Sequence, residues 1–198
     1  MEIREVAVIG AGTMGAGIAQ VCAQAGWNTN LFDAFPEGLE RGMARIDAFW
    51  DKGIARGKTT PEQKAEWGAR LHAVGDLAEA VGNADMVIEA VFEEIGVKEQ
   101  VFNKLDEVMK PGAILASNTS TLDVNAIAAF TKRPHDVVGL HFFSPANVMK
   151  LLEVVRGKDT AKDVLATVMD VAKKIKKIAV LSGVCDGFIG NRMIEQYG

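Results

Sequence analysis

Residues 6–32 carry no charged side chain, and five glycines (Gly10, Gly12, Gly15, Gly17 and Gly26) interrupt the stretch. An uncharged run of that length must be buried, either in lipid or in a protein core. Glycines at this density, together with Gln20, Gln24 and Asn28, oppose a membrane span, and Met1-Glu2-Ile3-Arg4-Glu5 lacks the positive start of a signal peptide. A protein core remains. Val6-Ala7-Val8-Ile9 is a short apolar run ending in glycine, as expected of a strand buried on both faces of a parallel sheet. A helix is expected over residues 13–25, with Gly26 closing it in the left-handed conformation, and a second strand over 28–33.

The rest of the chain supports a globular α/β reading. Its 198 residues are 48% hydrophobic and 24% charged, ordinary values for one large domain with a substantial core. A net charge of −4 excludes the broad basic footprint of a nucleic-acid binder, so an anionic ligand needs a local site. Cys22 and Cys185 stand far apart without a CxxC partner, which disfavours disulfides and a metal site and points to a reducing compartment, the cytoplasm.

Alternating apolar runs and helical patterns predict a doubly wound, mostly parallel sheet with helices on both faces. Pro36 opens a long amphipathic helix whose apolar face is Leu39, Met43, Ile46, Phe49, Trp50 and Ile54; Thr60-Pro61-Glu62-Gln63 reads as a capping box for a shorter one. Further strands are expected at 86–90, 113–117, 137–143, 151–155 and 178–181. Further helices are expected at 97–109, 122–130 and 161–175. Residues 186–193 open another helix, so the chain divides into a domain over 1–183 and a connecting helix over 184–198 that leads toward a further domain.

Gly10-Ala11-Gly12-Thr13-Met14-Gly15 is a G-x-G-x-x-G sextet placed between a strand and a helix. There the first glycine makes the tight turn, the second admits a pyrophosphate to the backbone, and the third lets helix and strand approach. Asp33 lies 18 residues after Gly15, at the end of the second strand, where a carboxylate accepts both ribose hydroxyls and repels a 2′-phosphate. The pattern indicates NAD rather than NADP.

A dinucleotide that accepts hydride from an alcohol needs a base, and the chain has three histidines. His72 reads as a core or edge residue of a strand, and His135 as a solvated loop residue. His141 ends an apolar strand on the side where open α/β sheets bind ligands; a structural role and a catalytic role are both open. Glu153, alone between Leu151-Leu152 and Val154-Val155, is costly to bury unless paired, and a hydrogen bond to His141 would satisfy it and stabilise the protonated imidazole. The alternative is the wet face of an edge strand. Ser117-Asn118-Thr119-Ser120-Thr121 reads locally as a helix cap supplied by Ser120 or Thr121.

GAGTMGAGIA at 10–19, SNTSTL at 117–122, GLHFFSPANVMKLLEVV at 139–155 and DGFIGNRM at 186–193 together resemble the NAD-binding domain of the L-3-hydroxyacyl-CoA dehydrogenases of fatty-acid β-oxidation. The wording of 141–155 is closer to fused enoyl-CoA hydratase/dehydrogenases than to stand-alone enzymes. The resemblance implies His141 as catalytic base and Glu153 as its partner, with Ser120 and Asn191 at the reacting end of the substrate. It implies cofactor contacts at Gly10, Gly12, Thr13, Met14, Gly15, Asp33, Glu93, Lys98 and Asn118, and places Lys52 near the CoA moiety. Lys52, Arg56 and Lys58 equally make a solvated basic face, and Lys173, Lys174, Lys176 and Lys177 read as solvent-facing charge at a helix end. The family closes its acyl cleft, and commonly dimerises, through a C-terminal helical domain that this chain ends before. A homodimer or multifunctional parent and weak activity of this piece are therefore expected. A dehydrogenase of free hydroxy acids and a non-catalytic NAD-binding or structural relative are the competing readings.

Overall fold

In the computed structural model, which describes residues 1–183, eight strands form one sheet in the order β3-β2-β1-β4-β5-β6-β7-β8. They are β1 (Glu5–Ile9), β2 (Asn28–Phe32), β3 (Leu71–Ala73), β4 (Met86–Glu89), β5 (Ile114–Ser117), β6 (Val137–Phe142), β7 (Leu151–Arg156) and β8 (Ile178–Gly183). The helices are α1 (Thr13–Gln24), α2 (Pro36–Ala55), α3 (Pro61–Ala69), α4 (Leu77–Val81), α5 (Ile95–Val108), α6 (Val124–Ala128) and α7 (Lys162–Lys174). No described helix is long and apolar enough to cross a membrane.

The uncharged stretch is the centre of the molecule. β1 pairs in parallel with β2 on one side and β4 on the other, and Val6, Ala7 and Val8 are fully buried. Behind β1, residues 15–23 of α1 are buried while the turn at Gly12 and Thr13 stays exposed, and Gly26 follows the helix at a φ of 104°. One apolar cluster joins β1 to α1, α2 and α7 on one face of the sheet, and a second joins it to α4, α5 and α6 on the other. Each helix is thus held by its apolar stripe rather than by propensity. The expected capping box is present: Thr60 Oγ1 accepts from Gln63 N at 3.1 Å and Gln63 Oε1 from Thr60 N at 2.9 Å.

Two local expectations, the extent and cap of the helix at 122–130 and the exposure of Lys177, need correction, and the mostly parallel sheet has one antiparallel pair. β6 and β7 are antiparallel, because residues 143–150 are too few for a crossover helix and a short connection joins only antiparallel neighbours. The helix expected at 122–130 is shorter, and its cap is Asp123, whose carboxylate accepts from Asn125 N at 2.8 Å; neither Ser120 nor Thr121 serves. Lys177 is half-buried and donates to the carbonyls of Ala146 at 2.6 Å and of Met149, pinning the 143–150 connection, so it is not solvent-facing. Finally, α4 stands where no helix was read, a five-residue element capped by Asp76.

Candidate active site

The strand order reverses between β1 and β4, and the loops leaving their carboxyl ends open a crevice there, the position at which sheets of this kind bind ligands. Gly10 lines it with a φ of 107°, and a Cβ at Gly10 would lie 2.6 Å from Ala90 O, so no side chain fits. Gly12 is the N-cap of α1 and has no side-chain cap; a Cβ there would meet no protein atom within 4 Å. The first helical turn therefore begins beside open space, where its N–H groups can receive a phosphate. Asp33 Oδ2 accepts from Ala11 N at 2.8 Å and Oδ1 from Phe35 N at 2.9 Å, which fixes the carboxylate beside the glycine turn. A cavity of about 190 Å³ adjoins it. The residues present fit a dinucleotide. Arg41 and Arg45 of α2 also line that cavity, and Arg45 Nη1 donates to Thr13 Oγ1 at 2.8 Å. On an amphipathic helix both read as solvated charge, so the sequence gives no signal for them.

A second cavity, of about 410 Å³, begins at Met14 on the first turn of α1 and runs past Glu93, Asn118 and Ser120 to His141. Antiparallel pairing of β6 with β7 sets His141 directly opposite Glu153 in register, so both side chains leave the same face of the sheet. Glu153 is fully buried, which disposes of the wet-face alternative. His141 Nδ1 stands 3.9 Å from Glu153 Oε1, beyond hydrogen-bond length. Phe143 packs on the imidazole with ring centroids 4.5 Å apart. Burial lowers the His141 pKa from its ordinary value, more than Glu153 and Glu93 raise it. Glu153 thus favours the protonated imidazole, as expected, but through its charge rather than a hydrogen bond, and burial outweighs it, which shifts the ring toward the neutral state a base requires.

That shift makes a stability prediction. Because the folded protein holds the His141 proton less tightly than the unfolded chain, the unfolded state binds more protons below pH 6.5, and stability falls on acidification through that range. Urea unfolding of the parent should show this loss, and His141→Gln should show less of it; identical pH profiles would contradict the shift.

The remaining carried-over residues are placed as follows. Glu93 accepts from Thr119 Oγ1 at 2.7 Å and from Ser120 N and Oγ at 2.8 and 3.0 Å. Asn118 accepts from Phe142 N at 2.9 Å, tying the end of β5 to β6. Lys98 is 1% exposed and its Nζ lies 2.7 Å from Glu89 Oε2, an ion pair the sequence reading overlooked. Lys52 is exposed in the last turn of α2 and lines neither cavity. His72 is exposed on β3 and bonds Asn28, and His135 is exposed in a three-residue 3-10 helix, Pro134–Asp136, rather than in a loop. Asn191 lies outside the described residues. Another cavity of about 400 Å³, near Trp27 and Asp170, is at the opposite ends of the strands and holds none of these groups.

Residues 5–185 match the family model described as "3-hydroxyacyl-CoA dehydrogenase, NAD binding domain". The chain belongs to this family. It is 43% identical over 195 residues to the peroxisomal bifunctional enzyme of Cavia porcellus, covering 98% of this chain and 27% of that one. It is 40% identical to a probable 3-hydroxybutyryl-CoA dehydrogenase of Bacillus subtilis, covering 98% and 67%. Among solved structures, 3-hydroxybutyryl-CoA dehydrogenase from Escherichia coli K12 superposes with a TM-score of 0.92 at 43% identity, over 96% of this chain and 40% of that one. The (S)-3-hydroxybutyryl-CoA dehydrogenase of Ralstonia eutropha gives 0.95 at 34%, over 98% and 68%. As in this family, the domain is an NAD-binding one.

Proposed function

We propose that this domain carries the catalytic half of an NAD-dependent oxidation of L-3-hydroxyacyl-CoA to 3-ketoacyl-CoA in fatty-acid β-oxidation. The observation that carries the reading is the register pairing of His141 with Glu153 at the wall of a cavity that begins at the glycine loop. With Nδ1 turned toward Glu153, Nε2 of the neutral His141 takes the proton of the C3 hydroxyl. Glu153, buried opposite, then balances the imidazolium that forms. Bound NAD supplies the hydride acceptor. Ser120, held by Glu93, and Asn191 contact the reacting oxygen, and Lys52 serves the CoA moiety.

Residues 1–183 form the NAD-binding domain in this reading; the expected connecting helix over 184–198 lies outside the described residues. The length of the relatives, of which this chain covers 27% in the bifunctional enzyme, supports a longer, multifunctional parent, and a homodimer is part of the same proposal. A reducing cytoplasmic setting agrees with Cys22, a buried thiol whose pKa burial pushes up to about 12, leaving it unreactive. The test is oxidation of NADH by the full-length protein with acetoacetyl-CoA, run beside free acetoacetate. Turnover only with the thioester is expected; turnover with the free acid alone, or none, would reject the reading.

Cofactor choice gives a second prediction. NADH should bind more tightly than NADPH, because the 2′-phosphate would face Asp33. In Asp33→Ala the two affinities should converge, since Arg41 and Arg45 then lie in the same cavity without an opposing carboxylate. Fluorescence titration with both ligands checks this, and equal affinities in the parent would refute it.

A further inference from the structure

The end of β4 carries a carboxylate that the reaction does not use. Glu89 is fully buried, and its oxygens accept from three donors: Ser117 Oγ at 2.6 Å, Lys98 Nζ at 2.7 Å and Val91 N at 2.8 Å. It thereby ties together the ends of β4 and β5 and the first turns of α5. The Lys98 cation is shut off from water, and a buried charge depends on its partner. A second acid lies within reach: Glu93 Oε1 is 3.8 Å from the same Nζ. Glu93 is the residue that receives Thr119 Oγ1 and both the N–H and Oγ of Ser120. Two carboxylates thus compete for one buried cation. Glu89 holds it at hydrogen-bond distance, while the oxygens of Glu93 stay engaged with the Ser120 turn.

We propose that Glu89 is a positioning residue: by keeping the Lys98 ammonium off Glu93, it leaves Glu93 to clamp Ser120 beside His141. Lys98 then acts from behind the cavity wall, through Glu93. The significance of Ser120 and His141 rests on the proposed function, but the clamp is a property of the protein alone and is read without turnover.

In Glu89→Gln the shape is kept and the charge removed, so Lys98 turns to Glu93 as its remaining anion. The Ser120 N–H bond to Glu93 lengthens, and its amide proton resonance moves upfield in the NMR spectrum. Among the described residues, the charged groups acting on His141 are Glu153 from β7 and Glu93 from the loop after β4. With Glu93 neutralised and Glu153 untouched, the acid dissociation constant of the His141 imidazolium should rise about threefold, a partial loss of one neighbouring charge. The double variant Glu89→Gln/Lys98→Met has no cation to draw Glu93 away, and neutral pairs replace buried ion pairs at little cost. It should restore the parental Ser120 resonance and His141 titration, and it carries the test if the single variant does not fold. An unmoved Ser120 amide in folded Glu89→Gln, whatever His141 does, overturns the proposal. A displaced Ser120 amide in the double variant overturns it too.

Discussion

Replacing His141 with Gln lowers kcat by roughly 10²–10⁴-fold in the full-length protein while leaving NADH affinity within about twofold of the parent, the loss typical of removing a positioned general base. The separation of the two effects follows from the architecture. The glycine loop and Asp33 follow β1 and β2, whereas His141 lies near the end of β6, and the cavity lined by Met14 and Asn118 reaches from one to the other. Glutamine keeps the polar surface beside Phe143 but cannot take a proton. Glu153→Gln should slow the reaction by less, because Nδ1 and Oε1 are 3.9 Å apart and the carboxylate acts on the imidazolium mainly through its charge. Steady-state kinetics with a 3-hydroxyacyl-CoA and a separate NADH titration check both halves. Parental kcat in His141→Gln would remove His141 from the role of base.

What was legible in the sequence divides by physical cause. Strands β1, β4 and β5 and the long helices announce themselves because burial on both faces writes an unbroken apolar run into the chain, and burial on one stripe a helical period. The capping box at Thr60 is equally local and equally visible. An acid in an apolar run points to the pairing of His141 with Glu153, but not to its geometry. The antiparallel turn between β6 and β7 is a tertiary outcome, and so is the burial that turns the His141 pKa downward. Glu89 gives the same signal as Glu153, a lone acid in the run Met86 to Ala90, and reading it that way would have pointed to a buried partner such as Lys98. Arg41, Arg45 and Lys177 were hidden for the opposite reason. Charges on amphipathic helices and helix ends are ordinarily solvated, and only the fold shows which of them a cavity or a carbonyl claims.

Two glycines of the same motif should respond to alanine in opposite ways. A Cβ on Gly15 would lie 1.6 Å from Gly10 O and 2.8 Å from Gly10 C, a clash of backbone with backbone that no rotamer change relieves. Helix α1 would have to lift from β1, yet residues 15–23 are buried beneath α2 and against β2. Overpacking a core costs about 1–3 kcal/mol and occasionally more, and a rigid contact of this kind belongs at or beyond the upper end. A loss of about 3 kcal/mol corresponds to a fall in Tm of roughly 10 °C for a chain of this size. NADH binding should be lost with it, because the turn that presents the helix N-terminus is displaced. Gly12→Ala meets nothing within 4 Å, so Tm should stay at the parental value. Its methyl group instead enters the open space in front of the first-turn N–H groups, and NADH affinity should fall by at least about tenfold, the equivalent of one lost charge-assisted hydrogen bond. Thermal unfolding paired with NADH titration separates the two. A parental Tm in Gly15→Ala would mean that α1 does not sit on the Gly10 carbonyl as described, and parental affinity in Gly12→Ala would place the pyrophosphate elsewhere than at this helix end.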